Sequence, residues 1–245
     1  MPDRMIAAVA VARAGFLLLL AAPLATGRLS AQERSPEPGP YARIVTIAPK
    51  PGQAAAFEAG YARHIEWHRA NGDRWTWYGW SFVLGPRLGR FMDGTFGHAI
   101  SDLDDPVDPA GDRADNARNV TPHADFVSHG VYRRLDEAGV GALLPDTSAY
   151  LVLVRLVVAP GRTGEFESAI RERRRMRGDG EAGPRSWYRL ELGGEGPEYL
   201  LMHGAPTWDA AIRFSAAVTP AFPADLVERV TTELLRYRPQ HSYHP

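Results

Sequence analysis

The chain has 245 residues, 44% of them hydrophobic and 23% charged, an ordinary globular composition with enough length to bury a substantial core. Twenty-eight basic and 29 acidic side chains leave a formal net charge of −1, which offers no electrostatic footprint for nucleic acid or an anionic membrane surface. Cysteine is absent, so disulfides, thiolate metal sites, a catalytic thiol and a lipidated N-terminal cysteine are excluded.

The first thirty or so residues read as an export signal. Arg4 and Arg13 precede the apolar run Ala14 to Ala25, and small residues lead to a cleavage site near Ala31. About twelve apolar residues suit a cleavable core and are short for the roughly twenty of a spanning helix. An uncleaved anchor is the alternative reading of the same run. Gln32 to Pro40 is a polar, Pro-rich lead-in with nothing to bury.

From there the elements alternate. Arg43 to Ile47 is a short strand, and Lys50-Pro51-Gly52 leads into a helix over Ala54 to Ala70 with apolar or aromatic residues three or four apart. Trp75 to Leu84 and Arg90 to Phe96 form a strand pair around Gly85-Pro86. The segment Asp102 to Asn119 is expected to be an acidic, Pro-containing loop, followed by a helix near Ala124 to Ala138 and a short strand around Leu143 to Leu144. The order then restarts. Leu151 to Val158 is a strand and Gly164 to Arg177 a helix. Ser186 to Leu192 and Glu198 to His203 form a second strand pair, Trp208 to Val218 and Pro223 to Thr232 are helices, and Glu233 to Arg238 is a last strand.

The two halves share landmarks. Pro51-Gly52 with Phe57-Glu58 is answered by Pro160-Gly161 with Phe166-Glu167, and Trp77-Tyr78 by Trp187-Tyr188. Pro51 to Pro160 is 109 positions and Thr121 to Thr219 is 98, so the first half carries about ten extra residues, assigned to the acidic loop. The expected division is a signal peptide over 1–31, a lead-in over 32–40 and two ferredoxin-like repeats over 41–147 and 148–245. One βαββαβ unit leaves a bare sheet face, and two units hide theirs by facing each other. The expected class is α+β, an internally duplicated barrel.

On these residues the chain resembles the dimeric α+β barrel superfamily, with its antibiotic-biosynthesis-monooxygenase-like, NIPSNAP-like and EthD-like families. The resemblance covers residues 41 to 245. It implies a cavity for a small apolar or aromatic molecule, and a group that contains cofactor-free oxygenases, haem-handling enzymes and proteins without known activity. No catalytic residue set is shared across it. Haem is the one cofactor it admits; otherwise none is expected. It also implies a monomer or a homodimer, since an internal duplication can replace a second chain.

Strand alternation then assigns faces. Trp187, Arg189 and Glu191 are expected toward the cavity, and with them Trp77, Ser81 and, on the first strand of the second repeat, Arg155. A charge at Arg155 amid Leu and Val needs a partner, and Glu191 is the nearest candidate by type. His98 and His203 both end a third strand and are candidate general bases or haem ligands. His64 and His68 share a helix face at i and i+4, as two metal ligands must, with a third ligand to come from His98 or an Asp. This spacing is not the zincin pattern, which needs Glu directly after the first His. The acidic loop lacks the ligand spacing of a calcium loop.

Three classes of function follow, the least favoured being a metal-dependent site on His64 and His68. One is an exported, periplasmic or secreted, small-molecule-binding protein without catalysis. Another is an oxidoreductase, cofactor-free or haem-dependent, with Trp77 and Trp187 stacking the substrate while His98 or His203 takes a proton. Serine-hydrolase, phosphate-loop and dinucleotide motifs are missing.

Overall fold

The structure, a computed structural model, describes residues 38–141, 143–177, 183–218 and 225–245, all within the unit Glu37–Pro245. The signal sequence and most of the lead-in lie outside the described residues. In order the elements are β1 (Tyr41–Pro49), α1 (Ala54–Ala70), β2 (Trp77–Leu84), β3 (Phe91–His98), α2 (Pro109–Asn119) and β4 (Ala124–Arg134). The second set is β5 (Tyr150–Val158), α3 (Thr163–Arg177), β6 (Ser186–Leu192), β7 (Glu198–Ala205), α4 (Trp208–Val218) and β8 (Val227–Tyr237). Two βαββαβ units thus follow one another. No helix among the described residues is long and apolar enough to cross a membrane.

All eight strands join in one closed antiparallel barrel, in the order β1-β3-β2-β8-β5-β7-β6-β4. Each unit contributes four strands in the order fourth, first, third, second. The units then meet where β2 pairs with β8 and β4 with β6. The closing pairs are short: β4 meets β6 only over Val131–Arg134 and β8 meets β2 only over Leu234–Tyr237, so the first halves of β4 and β8 are paired on one side alone, with β1 and β5.

Three apolar clusters result. Inside the barrel, Ile44, Tyr78, Trp80, Phe82, Met92 and Phe96 of the first unit pack on Leu153, Tyr188, Leu200 and Met202 of the second. Trp80 is 1% exposed and Phe96 meets Tyr188 edge-on at 5.7 Å, so the middle of this interior is filled. Outside, Phe57, Tyr61, Ile65 and Trp77 lie between α1 and its sheet, and Phe166, Ile170 and Trp187 between α3 and its sheet.

Three expected elements are exchanged for others. The acidic loop contains α2, which begins at the Asp108 N-cap, whose carboxylate accepts from Gly111 N–H at 3.0 Å, and continues through Pro109 at N1. The residues expected as a helix from Ala124 are β4, and those around Val227 to Thr232 are strand β8. In both strands the first half is exposed on both faces, so no strand alternation shows in the sequence there. No strand forms at Leu143 to Leu144.

Candidate metal centre

The two helix-to-sheet interfaces differ in kind. Under α3 the fully buried residues are apolar, with the Glu167–Arg189–Glu191 ion pairs at the partly exposed edge, whereas under α1 Tyr61, His64, His68, Asp73, Asp93 and Thr95 are all buried. The 109-residue offset places Ile170, Arg173 and Arg177 where the first unit has Tyr61, His64 and His68. Strand pairing sets Asp93 opposite Val45 and Leu201 opposite Val154, so Leu201 stands where Asp93 does. Burying polar groups costs free energy unless each is partnered. That asymmetry makes the α1 interface of the first unit the candidate site.

The i,i+4 spacing on α1 brings His64 and His68 together, 6% and 3% exposed, with their Nε2 atoms 3.2 Å apart. Helix α2 adds Asp112, whose Oδ1 lies 3.4 Å from His64 Nε2 and 3.9 Å from His68 Nε2. Each imidazole is fixed from behind by a buried carboxylate. His64 Nδ1 is 2.9 Å from Asp115 Oδ2, and His68 Nδ1 is 2.7 Å from Asp73 Oδ2. A carboxylate only accepts, so both Nδ1 atoms carry a proton, and in a neutral imidazole of this tautomer Nε2 offers a lone pair. Two lone pairs and a carboxylate oxygen therefore converge on one point.

Further bonds hold the carboxylates. Asp73 also accepts from Trp77 Nε1 at 2.8 Å and from Trp75 N–H at 3.0 Å. Asp115 accepts from Asn119 at 2.8 Å, and Asn119 in turn from Arg63 at 2.8 Å. Asn116 donates to Asp112 Oδ1 at 2.9 Å. Gly60 permits the approach of α2, since a Cβ there would sit 1.8 Å from the Asn119 carbonyl oxygen. Burial inside this arrangement, with the neighbouring His68, holds the His64 imidazole below its usual range despite the bond to Asp115. Burial alone would raise the Asp73 carboxyl, but its hydrogen bonds from His68, Trp75 and Trp77 together bring it below the ordinary value. His64 thus stays neutral at neutral pH, as a metal ligand must.

The spacing suits a transition ion. Ligand atoms about 2.0–2.1 Å from a metal and at a tetrahedral angle lie about 3.3 Å from each other. Among the described residues this is the one such group of His and carboxylate ligands. Of the third ligands expected from sequence, an Asp, Asp112, lies beside the pair, and His98 is not in the group.

The other expected site residues are placed elsewhere. Trp77 and Trp187 lie under the helices, and Tyr78, Trp80, Phe82 and Tyr188 take the barrel interior in their stead. On β2 the expected faces are inverted because both are apolar, and alternation cannot say which one the helix covers; on β6 the polar Arg189 and Glu191 face the helix side because Glu167 of α3 and Arg133 partner them there. Ser81 also faces outward, accepting from Arg238 at 2.9 Å. Arg189 and Glu191 pair with each other at 2.9 Å on the helix side, Arg189 reaching Glu167 of α3 at 2.9 Å and Glu191 taking Arg133 at 2.8 Å. Arg155 does point into the barrel, at its mouth, but its partner is Glu198 of the adjacent strand at 2.6 Å rather than Glu191.

Neither expected base lies in the barrel interior. At Gly97, φ of 84° interrupts the alternation of β3, turning His98 to the side of Thr95, whose Oγ1 is 2.6 Å from His98 Nε2. His203 stacks face to face on Phe214 at 3.8 Å and its Nδ1 donates to the Pro184 carbonyl at 2.6 Å. Strand pairing sets His203 where the first unit has Thr95, so the two histidines are not equivalent. These residues do not fit haem. One His203 face is taken by Phe214, one His98 nitrogen by Thr95, and the interior between the sheets is filled by Trp80 and its neighbours. Asn119, which with Val120 and Thr121 spells a glycosylation sequon, is buried in the α1–α2 contact, where it accepts from Arg63.

No protein-family model matches this chain, and no curated protein matches it in sequence. Solved structures do match in fold. A proposed monooxygenase from Lactobacillus acidophilus superposes with a TM-score of 0.55 at 10% identity, covering 81% of this chain and 94% of that one. A proposed chlorite dismutase gives 0.56 at 12% identity, covering 82% and 95%. A mutant chlorite dismutase from Candidatus Nitrospira defluvii gives 0.55 at 10% identity, covering 84% and 94%. The chain therefore has the α+β barrel fold of the chlorite dismutase-like and monooxygenase-like structures.

Proposed function

We propose that the chain is an exported metalloprotein in which His64, His68 and Asp112 hold one divalent first-row transition ion. The observation that carries this reading is the convergence of two imidazole Nε2 atoms at 3.2 Å, each Nδ1 held by its own buried carboxylate. Carboxylate–histidine pairs of this kind fix the tautomer and strengthen the ligand. Three protein ligands leave a coordination position for water or substrate, the pattern of catalytic rather than closed structural sites. Asp112 is 33% exposed, so solvent reaches the group from that side. A purely structural clamp is the weaker reading, because the bonds of Asp115 to His64 and Asn119 to Arg63 already tie α2 to α1.

Bound there, zinc would supply an activated water and ferrous iron a site for oxygen. An oxidoreductase role of the kind named for the structural neighbours would therefore run through iron at this centre and not through haem. Export by the N-terminal segment, and origin of the barrel from two fused copies of a NIPSNAP-like or EthD-like unit, belong to the same proposal. The test is calorimetric titration of chelator-treated protein with Zn²⁺, Fe²⁺ and Mg²⁺. One equivalent of zinc or iron binds, magnesium does not, and His68→Gln and Asp112→Ala each abolish binding. Absence of stoichiometric binding by either transition ion, or binding that survives both substitutions, removes the reading.

A further inference from the structure

At the barrel end where the β2–β3 and β6–β7 hairpins lie, a cavity of about 240 Å³ opens into the space between the two units. Its lining combines an apolar floor, including Met92, Leu153 and Leu200, with three arginines, Arg87, Arg90 and Arg155. We propose that this mouth binds a small organic anion: a carboxylate carried on an aromatic or branched aliphatic body.

The charges around the cavity are unevenly committed. Glu198 accepts from Tyr132 Oη at 3.0 Å and from Arg155 Nε at 2.6 Å. Arg87 is bound to the buried Glu233 through Nε at 2.9 Å and reaches Thr46 at 3.3 Å. These acidic groups are neutralised where they stand. Among the described residues Arg155, by contrast, uses only Nε, with no acceptor at either Nη atom, and the half-buried Arg90 has no ion pair. A guanidinium edge with two free donors matches a carboxylate bidentately. Glu195 on the β6–β7 hairpin also lines the cavity, and its exposed carboxylate weakens the field without filling the site.

The size sets the class. Pockets for drug-sized ligands run to about 300–1,000 Å³, so this one takes a smaller body. The floor of Ile44, Met92, Leu153 and Leu200 suits a hydrocarbon end, while the arginines, with Thr46 and Ser128 beside them, suit an anionic one. The proposal does not depend on the metal centre, which lies on the helix-covered face of the sheet and not inside the barrel.

Benzoate and its neutral counterpart benzamide are suitable probes, titrated calorimetrically into the metal-stripped full chain so that no metal takes the carboxylate. Benzoate binds with one-to-one stoichiometry, about 10- to 100-fold more tightly than benzamide, as charge-assisted hydrogen bonds confer. Arg90→Gln removes an unpaired side chain and leaves the fold intact, and it weakens benzoate by about tenfold or more while leaving benzamide unchanged. Glu195→Gln tightens benzoate. Equal binding of the two probes overturns the proposal, as does benzoate affinity unchanged in both Arg90→Gln and Arg155→Gln. Benzoate binding that is lost in His68→Gln but retained in Arg90→Gln also overturns it, by placing the anion at the metal centre.

Discussion

Asp73 never touches the proposed ion, and Asp73→Asn therefore tests whether the buried carboxylates behind the histidines matter. In the native protein Asp73 Oδ2 accepts from both His68 Nδ1 and Trp77 Nε1, while Oδ1 accepts from Trp75 N–H. An amide has one oxygen. If it serves His68 and Trp77, its NH₂ is turned against the Trp75 N–H; if it serves Trp75, two ring N–H donors are opposed. Leaving one buried donor unmet costs about 1–3 kcal/mol of stability. In a unit of this size that is a fall in Tm of about 2–4 °C per kcal/mol, measured on metal-free protein. The effect on the metal is separate. Losing an anionic partner behind a ligating imidazole weakens metal affinity by about 10- to 100-fold, or about 1.4–2.7 kcal/mol. Competition for zinc against a chromogenic chelator reads that loss directly. Asp105→Asn is the control, since Asp105 pairs only with the exposed Arg74 at the surface and should change neither quantity. Zinc affinity of Asp73→Asn within about threefold of wild type would refute the reasoning, whatever the stability does.

Three further outcomes are expected. Trp80→Ala empties the middle of the barrel and lowers the unfolding free energy by about 3–5 kcal/mol in a denaturant titration, whereas Leu88→Ala, at an exposed hairpin position, stays within about 0.5 kcal/mol. Burial depresses the imidazoles of His64, His98, His129, His203 and His241, so the unfolded chain binds their protons first. Stability is then full above the unfolded histidine value of about 6.5 and falls as pH drops below it, which a series of melting curves will show. Asp93 has the opposite sign: burial pushes its carboxyl up to about 6 from 3.8, and its Oδ1 has no hydrogen-bond partner. Asp93→Asn should raise stability by up to about 3 kcal/mol near pH 8 and by less near pH 5, and an unchanged or lower stability near pH 8 would contradict the burial argument.

The repeat was legible because its landmarks are local. Pro51-Gly52 and Pro160-Gly161 each end a strand and open a helix, and α1 occupies Ala54–Ala70 as the periodicity expects. Helix α2 was not legible, because only Asp115 and Asn119 are buried on it and neither forms an apolar stripe. The sheet faces were misassigned for a related reason. Period-2 patterning distinguishes wet from dry, and β2 has no wet face to read. At the metal centre the i,i+4 histidines could be read directly, since one helix turn brings them together. Asp112 could not, because it lies 44 residues beyond His68 and reaches it only when α2 packs on α1. Asp73 and Asp115 were equally hidden, for what singles them out is a hydrogen bond rather than a spacing.

The central claim is that one transition ion sits between α1 and α2. Anomalous diffraction at the zinc absorption edge, from crystals of the zinc-loaded chain, tests it most directly. The account predicts a single strong peak about 2.0–2.2 Å from His64 Nε2, His68 Nε2 and an Asp112 carboxylate oxygen. A peak elsewhere, or none at that point with zinc in excess, would contradict it.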